Sequence, residues 1–84
     1  MKETTPAIAV AERLALRRRL PAPEMRRALR QASGLSASEV AACLGVSRQT
    51  VAQWERGVRT PRGPLLEQYV AVLERIDSDS RTAS

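Results

Sequence analysis

An all-α fold, a compact bundle of about five helices, follows from three features of this 84-residue chain. Apolar residues recur at three- and four-residue spacings in five segments, and no segment alternates apolar with polar residues as a half-buried strand does. Each helical segment also opens on a proline or on a residue suited to capping.

The first helix is predicted from Thr5-Pro6, an N-cap followed by proline at the first helical position, and runs to about Leu20. Ile8, Ala11, Leu14, Ala15 and Leu20 form its apolar stripe, with Arg13, Arg17, Arg18 and Arg19 crowding the rest. Pro21-Ala22-Pro23 breaks the pattern. Pro23 then starts a second helix in which Met25, Ala28, Leu29 and Ala32 share a face, and Gly34 is placed to end it in a left-handed conformation.

Ser36-Ala37-Ser38-Glu39 is a capping box, which predicts a short third helix with Val40, Ala41, Cys43 and Leu44 on its core side. Gly45-Val46-Ser47 turns directly into a fourth, over about 48–56. Gly45 tolerates the left-handed region, Ser47 is a good N-cap, and Val51 and Trp54 lie three apart on one face. Residues 57–63 have no period and read as a loop. Pro64 restarts a helix carrying Leu65, Leu66, Tyr69, Val70, Leu73 and Ile76, after which the polar residues from Asp77 onward are expected to fray. The chain divides on this reading into an N-terminal helical extension (1–21), one domain (22–77) and a disordered tail (78–84).

Composition narrows the class of partner. The chain has 14 Lys plus Arg against 9 Asp plus Glu, net +5, so an anionic partner is expected, nucleic acid ahead of a membrane surface. All but one of these cations are arginine, whose planar fork suits phosphate and guanine. A single cysteine, Cys43, excludes an internal disulfide and reads as a small buried hydrophobe in a reducing compartment. With no histidine and one cysteine, no zinc cage can form, and neither a metal nor any other cofactor is expected. No apolar run approaches the ~20 residues of a membrane span, and no signal-peptide pattern opens the chain, so a cytoplasmic location is expected. Catalysis is not expected either: there is no histidine, no glycine-rich phosphate loop and no nucleophile beside a base.

The outward side of the fourth helix points to a specific kind of recognition. It carries Arg48, Gln49, Thr50 and Gln53, and Arg and Gln near a helix start are the side chains that make two-pronged hydrogen bonds to guanine and adenine edges in a DNA major groove. Ala41, Gly45 and Val51 supply the matching scaffold. A small residue permits close helix crossing, glycine makes the turn, and valine fills the angle between the helices.

In these residues the chain resembles the lambda-repressor-like (Xre-type) helix-turn-helix family. The resemblance covers about 25–76, through Gly34-Leu35-Ser36, Glu39-Val40-Ala41, Leu44-Gly45-Val46-Ser47-Arg48-Gln49-Thr50-Val51, Trp54-Glu55-Arg56-Gly57 and Pro61. It implies a DNA-binding regulator, a small phage or prophage repressor of the Cro kind, acting as a homodimer on an inverted-repeat operator. Arg48, Gln49, Thr50 and Gln53 would read bases, while Ser36, Ser47, Arg56, Arg59 and Arg62 would meet the backbone. Ala37 departs from the glutamine often found there, which leaves backbone N–H groups as the phosphate donors at that helix start. Trp54 would be core. The resemblance also implies a semi-buried pair between Arg30 and Glu55 that ties the reading helix to the scaffold. Residues 1–21 lie outside it; packing or dimerisation is the favoured role for them, with arginines laid on DNA as the third. An alternative function is an antitoxin or adaptor that binds a protein partner through the N-terminal helix, with DNA autoregulation secondary.

Overall fold

A computed structural model describes residues 5–82, which form five helices: α1 (Pro6–Arg19), α2 (Pro23–Ala32), α3 (Ala37–Leu44), α4 (Arg48–Glu55) and α5 (Pro64–Thr82). Local signals account for the starts. Thr5 caps α1 by accepting from the Ile8 N–H at 3.2 Å. The capping box opens α3, with Ser36 Oγ accepting from Glu39 N–H at 3.0 Å and Glu39 Oε1 accepting from Ser36 N–H at 2.9 Å. Those bonds hold the Glu39 carboxyl below its ordinary range.

Gly45 closes α3 in the left-handed region (φ 70°). Its own N–H reaches Ala42 O and the next N–H, of Val46, reaches Ala41 O at 3.0 Å, a pairing that satisfies the last carbonyls while the chain reverses into α4. The resulting angle between α3 and α4 is filled by Val40, Ala41, Leu44, Val51 and Trp54, which join Tyr69 and Leu73 of α5 in one buried cluster. Trp54 and Tyr69 meet ring to ring at 4.7 Å, tilted by 46°, within the range where aromatic pairs add to simple burial.

Several sequence expectations are corrected by this packing. On α2, Met25 is 52% exposed, and Ala28 and Ala32 also face outward. The inward side is instead Pro23, Arg26, Leu29 and Arg30, with Arg26 only 8% exposed. Arginine ranks as a surface residue in a periodicity reading, so the stripe was displaced by about one position. On α1, Ile8, Val10 and Leu14 are exposed, and the helix lies on α5 through a narrow side containing Leu16 and Leu20. An Arg19–Glu74 pair closes that contact, with hydrogen bonds of 3.0 and 2.6 Å.

Cys43 is exposed rather than buried. The apolar stripe of α3 is centred on Val40, Ala41 and Leu44, and the helical turn carries Cys43 off its edge. The polar end of the chain also departs from expectation, because α5 continues to Thr82. Arg75–Asp79 and Asp77–Arg81 pair one turn apart at 3.2 and 3.1 Å, and the Thr82 hydroxyl donates to backbone carbonyls of the preceding turn. The rest of the tail reading, at 83–84, lies outside the described residues.

The buried Tyr69 hydroxyl has no hydrogen-bond partner among the described residues, and burial, reinforced by the charge of Glu55, pushes its pKa up to about 12. The folded value lies above the ordinary one of about 10, so this contribution to stability is present below about pH 10 and is lost as pH rises through the folded pKa. Tyr69→Phe keeps the ring and removes the unpartnered hydroxyl. It is expected to leave neutral-pH stability unchanged or slightly raised, and to flatten the alkaline loss of the urea midpoint. An equally steep alkaline loss in the variant would assign that loss to another group.

Candidate nucleic-acid interface

The candidate surface is built on α4, whose two sides are sharply divided. Ser47 starts the helix, accepting from Thr50 N–H at 3.1 Å and sharing a hydroxyl contact with Thr50 at 2.9 Å. Val51 is fully buried, Trp54 is 3% exposed and Glu55 is buried beside them. The opposite side presents Arg48 and Gln49 to solvent, with Thr50 and Gln53 half-buried at its flank. Neither Arg48 nor Gln49 makes a side-chain hydrogen bond among the described residues.

The rear of α4 is held by α2. Arg26 donates from Nε to Pro21 O at 2.7 Å and from Nη1 to Trp54 O at 2.8 Å. Burial lowers its pKa from the ordinary guanidinium value, so the site bears a desolvation cost that these two carbonyls offset. One turn on, Arg30 grips the Glu55 carboxylate with two donors, Nε to Oε2 at 2.5 Å and Nη2 to Oε1 at 2.9 Å. A third donor, Nη1, reaches Leu35 O at 3.0 Å. The hydrogen bonds that Arg30 donates to Glu55 raise its pKa despite burial, and the side chains retain only 13% and 7% exposure.

Beyond α4 the chain turns at Gly57, whose positive φ of 72° and whose contact with α2 both require glycine. A Cβ there would come within 2.9 Å of Pro23 Cγ. The N–H groups of Val58 and Arg59 then bond to Gln53 O, which folds the loop back beside α4. Pro61 is buried, while Arg56, Arg59 and Arg62 are exposed. From Arg48 to Gly63 the only carboxylate is Glu55, and Arg30 neutralises it. The outward surface of this segment therefore carries four arginines, at 48, 56, 59 and 62, with no opposing acid of its own.

The residues expected at the site are not all equally placed. Arg48, Gln49, Thr50 and Gln53 gather on one side of α4, with Ser47 at its start, and Arg59 and Arg62 flank the same cleft as Thr50 and Gln53. Ser36 is exposed, but its hydroxyl is engaged in the α3 capping box. Arg26 has no role in the sequence reading, and Arg17 enters it only as one of the α1 arginines that could lie on DNA. Arg26 lies one turn before Arg30 on the same side of α2, a spacing that could have exposed it. Arg17, on α1, lines the cleft with Thr50, Gln53, Arg59 and Arg62, and only the docking of α1 brings it there.

A family model described as helix-turn-helix matches residues 27–79, a span from the first turns of α2 through most of α5. No curated protein and no solved structure matches the chain.

Removing one partner of the Arg30–Glu55 pair strands the other charge beside the core. Glu55→Ala is expected to reduce the unfolding free energy by about 3 kcal/mol, read as a lower urea midpoint. A loss below about 1 kcal/mol would class the pair with ordinary surface ion pairs.

Proposed function

The chain belongs to the Xre-type, lambda-repressor-like helix-turn-helix family of DNA-binding regulators, and from that premise we propose that it is a small sequence-specific repressor of the Cro kind that reads an inverted-repeat operator as a homodimer. The observation that carries this reading is the division of α4. Its inner side is fixed by Val51, Trp54 and Glu55, and its outer side offers Arg48 and Gln49 with no structural bond to break. A rigid helix that presents a free Arg and a free Gln near its start matches the geometry of base-edge recognition in a major groove.

Roles follow from position. Arg48 and Gln49 read bases, with Thr50 and Gln53 at the edge of the same surface. Ser36, Ser47, Arg56, Arg59 and Arg62 position the backbone, and these arginines supply affinity that falls with salt. Function is binding, not catalysis, and requires no cofactor. A dimer is proposed because one helix of this length reads only a few base pairs, while two half-sites about one helical turn apart, roughly 34 Å, give operator-length specificity.

A second reading draws on α1, where Ile8, Val10 and Leu14 are 46%, 57% and 47% exposed. Exposed apolar side chains gathered on one helix favour a protein contact, which supports either the homodimer or an antitoxin-like adaptor with a different partner. No helix among the described residues is long and apolar enough to cross a membrane.

Selection of bound fragments from random duplex DNA, followed by mobility shift on the selected site, tests the proposal. The selected sites should be inverted repeats. Gln49→Ala and Arg48→Ala should each weaken binding by roughly 1–3 kcal/mol and relax preference at particular bases, with melting temperatures unchanged. Binding and preference unaffected by both substitutions would remove α4 from the reading role.

A further inference from the structure

The cleft between α1, α4 and the loop after α4 has an unusual charge balance. Arg17, Arg59 and Arg62 line it, together with the polar side chains of Thr50, Gln53 and Thr60, and no carboxylate does. None of the three guanidinium groups has an ion pair or a side-chain hydrogen bond among the described residues. Three cations on one concave surface repel one another, and the arrangement is relieved by an anion seated among them. A second groove along α1 shows the contrast, since Arg13 and Arg19 line it together with Glu12 and Glu67, and Arg19 is tied to Glu74.

Position identifies the anion. Thr50 and Gln53 form one wall of the cleft and belong to the helix proposed to read bases. A DNA strand whose base edges meet α4 therefore carries its phosphates past this cleft. Arginine is the side chain best matched to a phosphate, since its fork donates two parallel hydrogen bonds. Apolar groups of Trp54, Pro61 and Leu65 also border the cleft, and low-dielectric walls strengthen the field of the cations.

We propose that Arg17 grips a DNA backbone phosphate together with Arg59 and Arg62, so that α1, which precedes the 27–79 helix-turn-helix segment, forms part of the DNA-contacting surface. This inference rests on the DNA-binding reading above and assigns α1 a role beyond packing. The contact is to the backbone, so it sets affinity and salt dependence without selecting sequence.

The test uses the full chain and a fluorescein-labelled mixed-sequence duplex, with affinity followed by anisotropy over a salt series. Arg17→Gln should weaken binding at low salt and reduce the slope of log affinity against log salt by about 0.9, the share of one phosphate contact. Arg17→Lys should keep the slope. Arg18→Gln removes the same charge from a neighbouring position outside the cleft, and should leave the slope close to that of the unmodified protein. Thermal melting checks that all three variants fold.

An unchanged slope in Arg17→Gln, or an equal reduction in Arg18→Gln, overturns the phosphate contact; binding that still depends on Arg48 and Gln49 then leaves the DNA-reading proposal standing. Absence of DNA binding by the unmodified protein, on this duplex and on selected fragments alike, overturns both.

Discussion

Two guanidinium groups on α2 reach across to the last residues of α4, and the placement of its outward face depends on them. Arg26 donates to the Trp54 carbonyl, and Arg30 clamps the Glu55 carboxylate. A helix of eight residues is far too short to persist alone, and its final carbonyls have no partners within the helix. α4 thus draws its order from neighbours: Ser47 at its start, Val51 and Trp54 against α3 and α5, and the two arginines at its end. Burying arginine is unfavourable unless most of its donors are met. Here the cost is offset by three carbonyl oxygens and a two-pronged carboxylate, of which the Trp54 carbonyl and the Glu55 carboxylate would be lost if α4 rotated or shifted.

The same bonds sort the charges of the molecule. Glu55 would repel a polyanion from the end of α4, but Arg30 cancels its charge against the core. Glu39 is engaged in the cap of α3 and Glu74 faces Arg19 on the α1–α5 contact. The arginines that remain without acidic partners in the cleft, at 17, 59 and 62, converge from α1 and from the loop beside α4. Packing and electrostatics therefore act together, since the residues that fix α4 in place also clear its outward side of negative charge.

Much of this was legible in the sequence because short-range chemistry wrote it. Thr5-Pro6, the Ser36 to Glu39 box, Gly45 and Ser47 mark helix ends through bonds spanning three or four residues, and each is formed in the structure. The apolar faces of α4 and α5 follow the same local logic. The outward face of α4 could be read for the same reason, being the complement of Val51 and Trp54. Long-range features were hidden. The burial of Arg26 depends on a carbonyl 28 residues away, which no local pattern encodes. Nothing near Arg17 announces that α1 docks beside α4, and Cys43 sits on an apolar-looking stretch whose true centre is one position away.

The residues of α4 that hold it in place and those that face outward are different residues. Val51, Trp54 and Glu55 bind the helix to the protein, while Arg48 and Gln49 hold nothing. Substitutions at such free, exposed positions cost a fold little. The scaffold can consequently accept a new pair of outward side chains and keep its helix in register, which makes the chain a chassis on which recognition can be rewritten, by drift or by design, without refolding the protein.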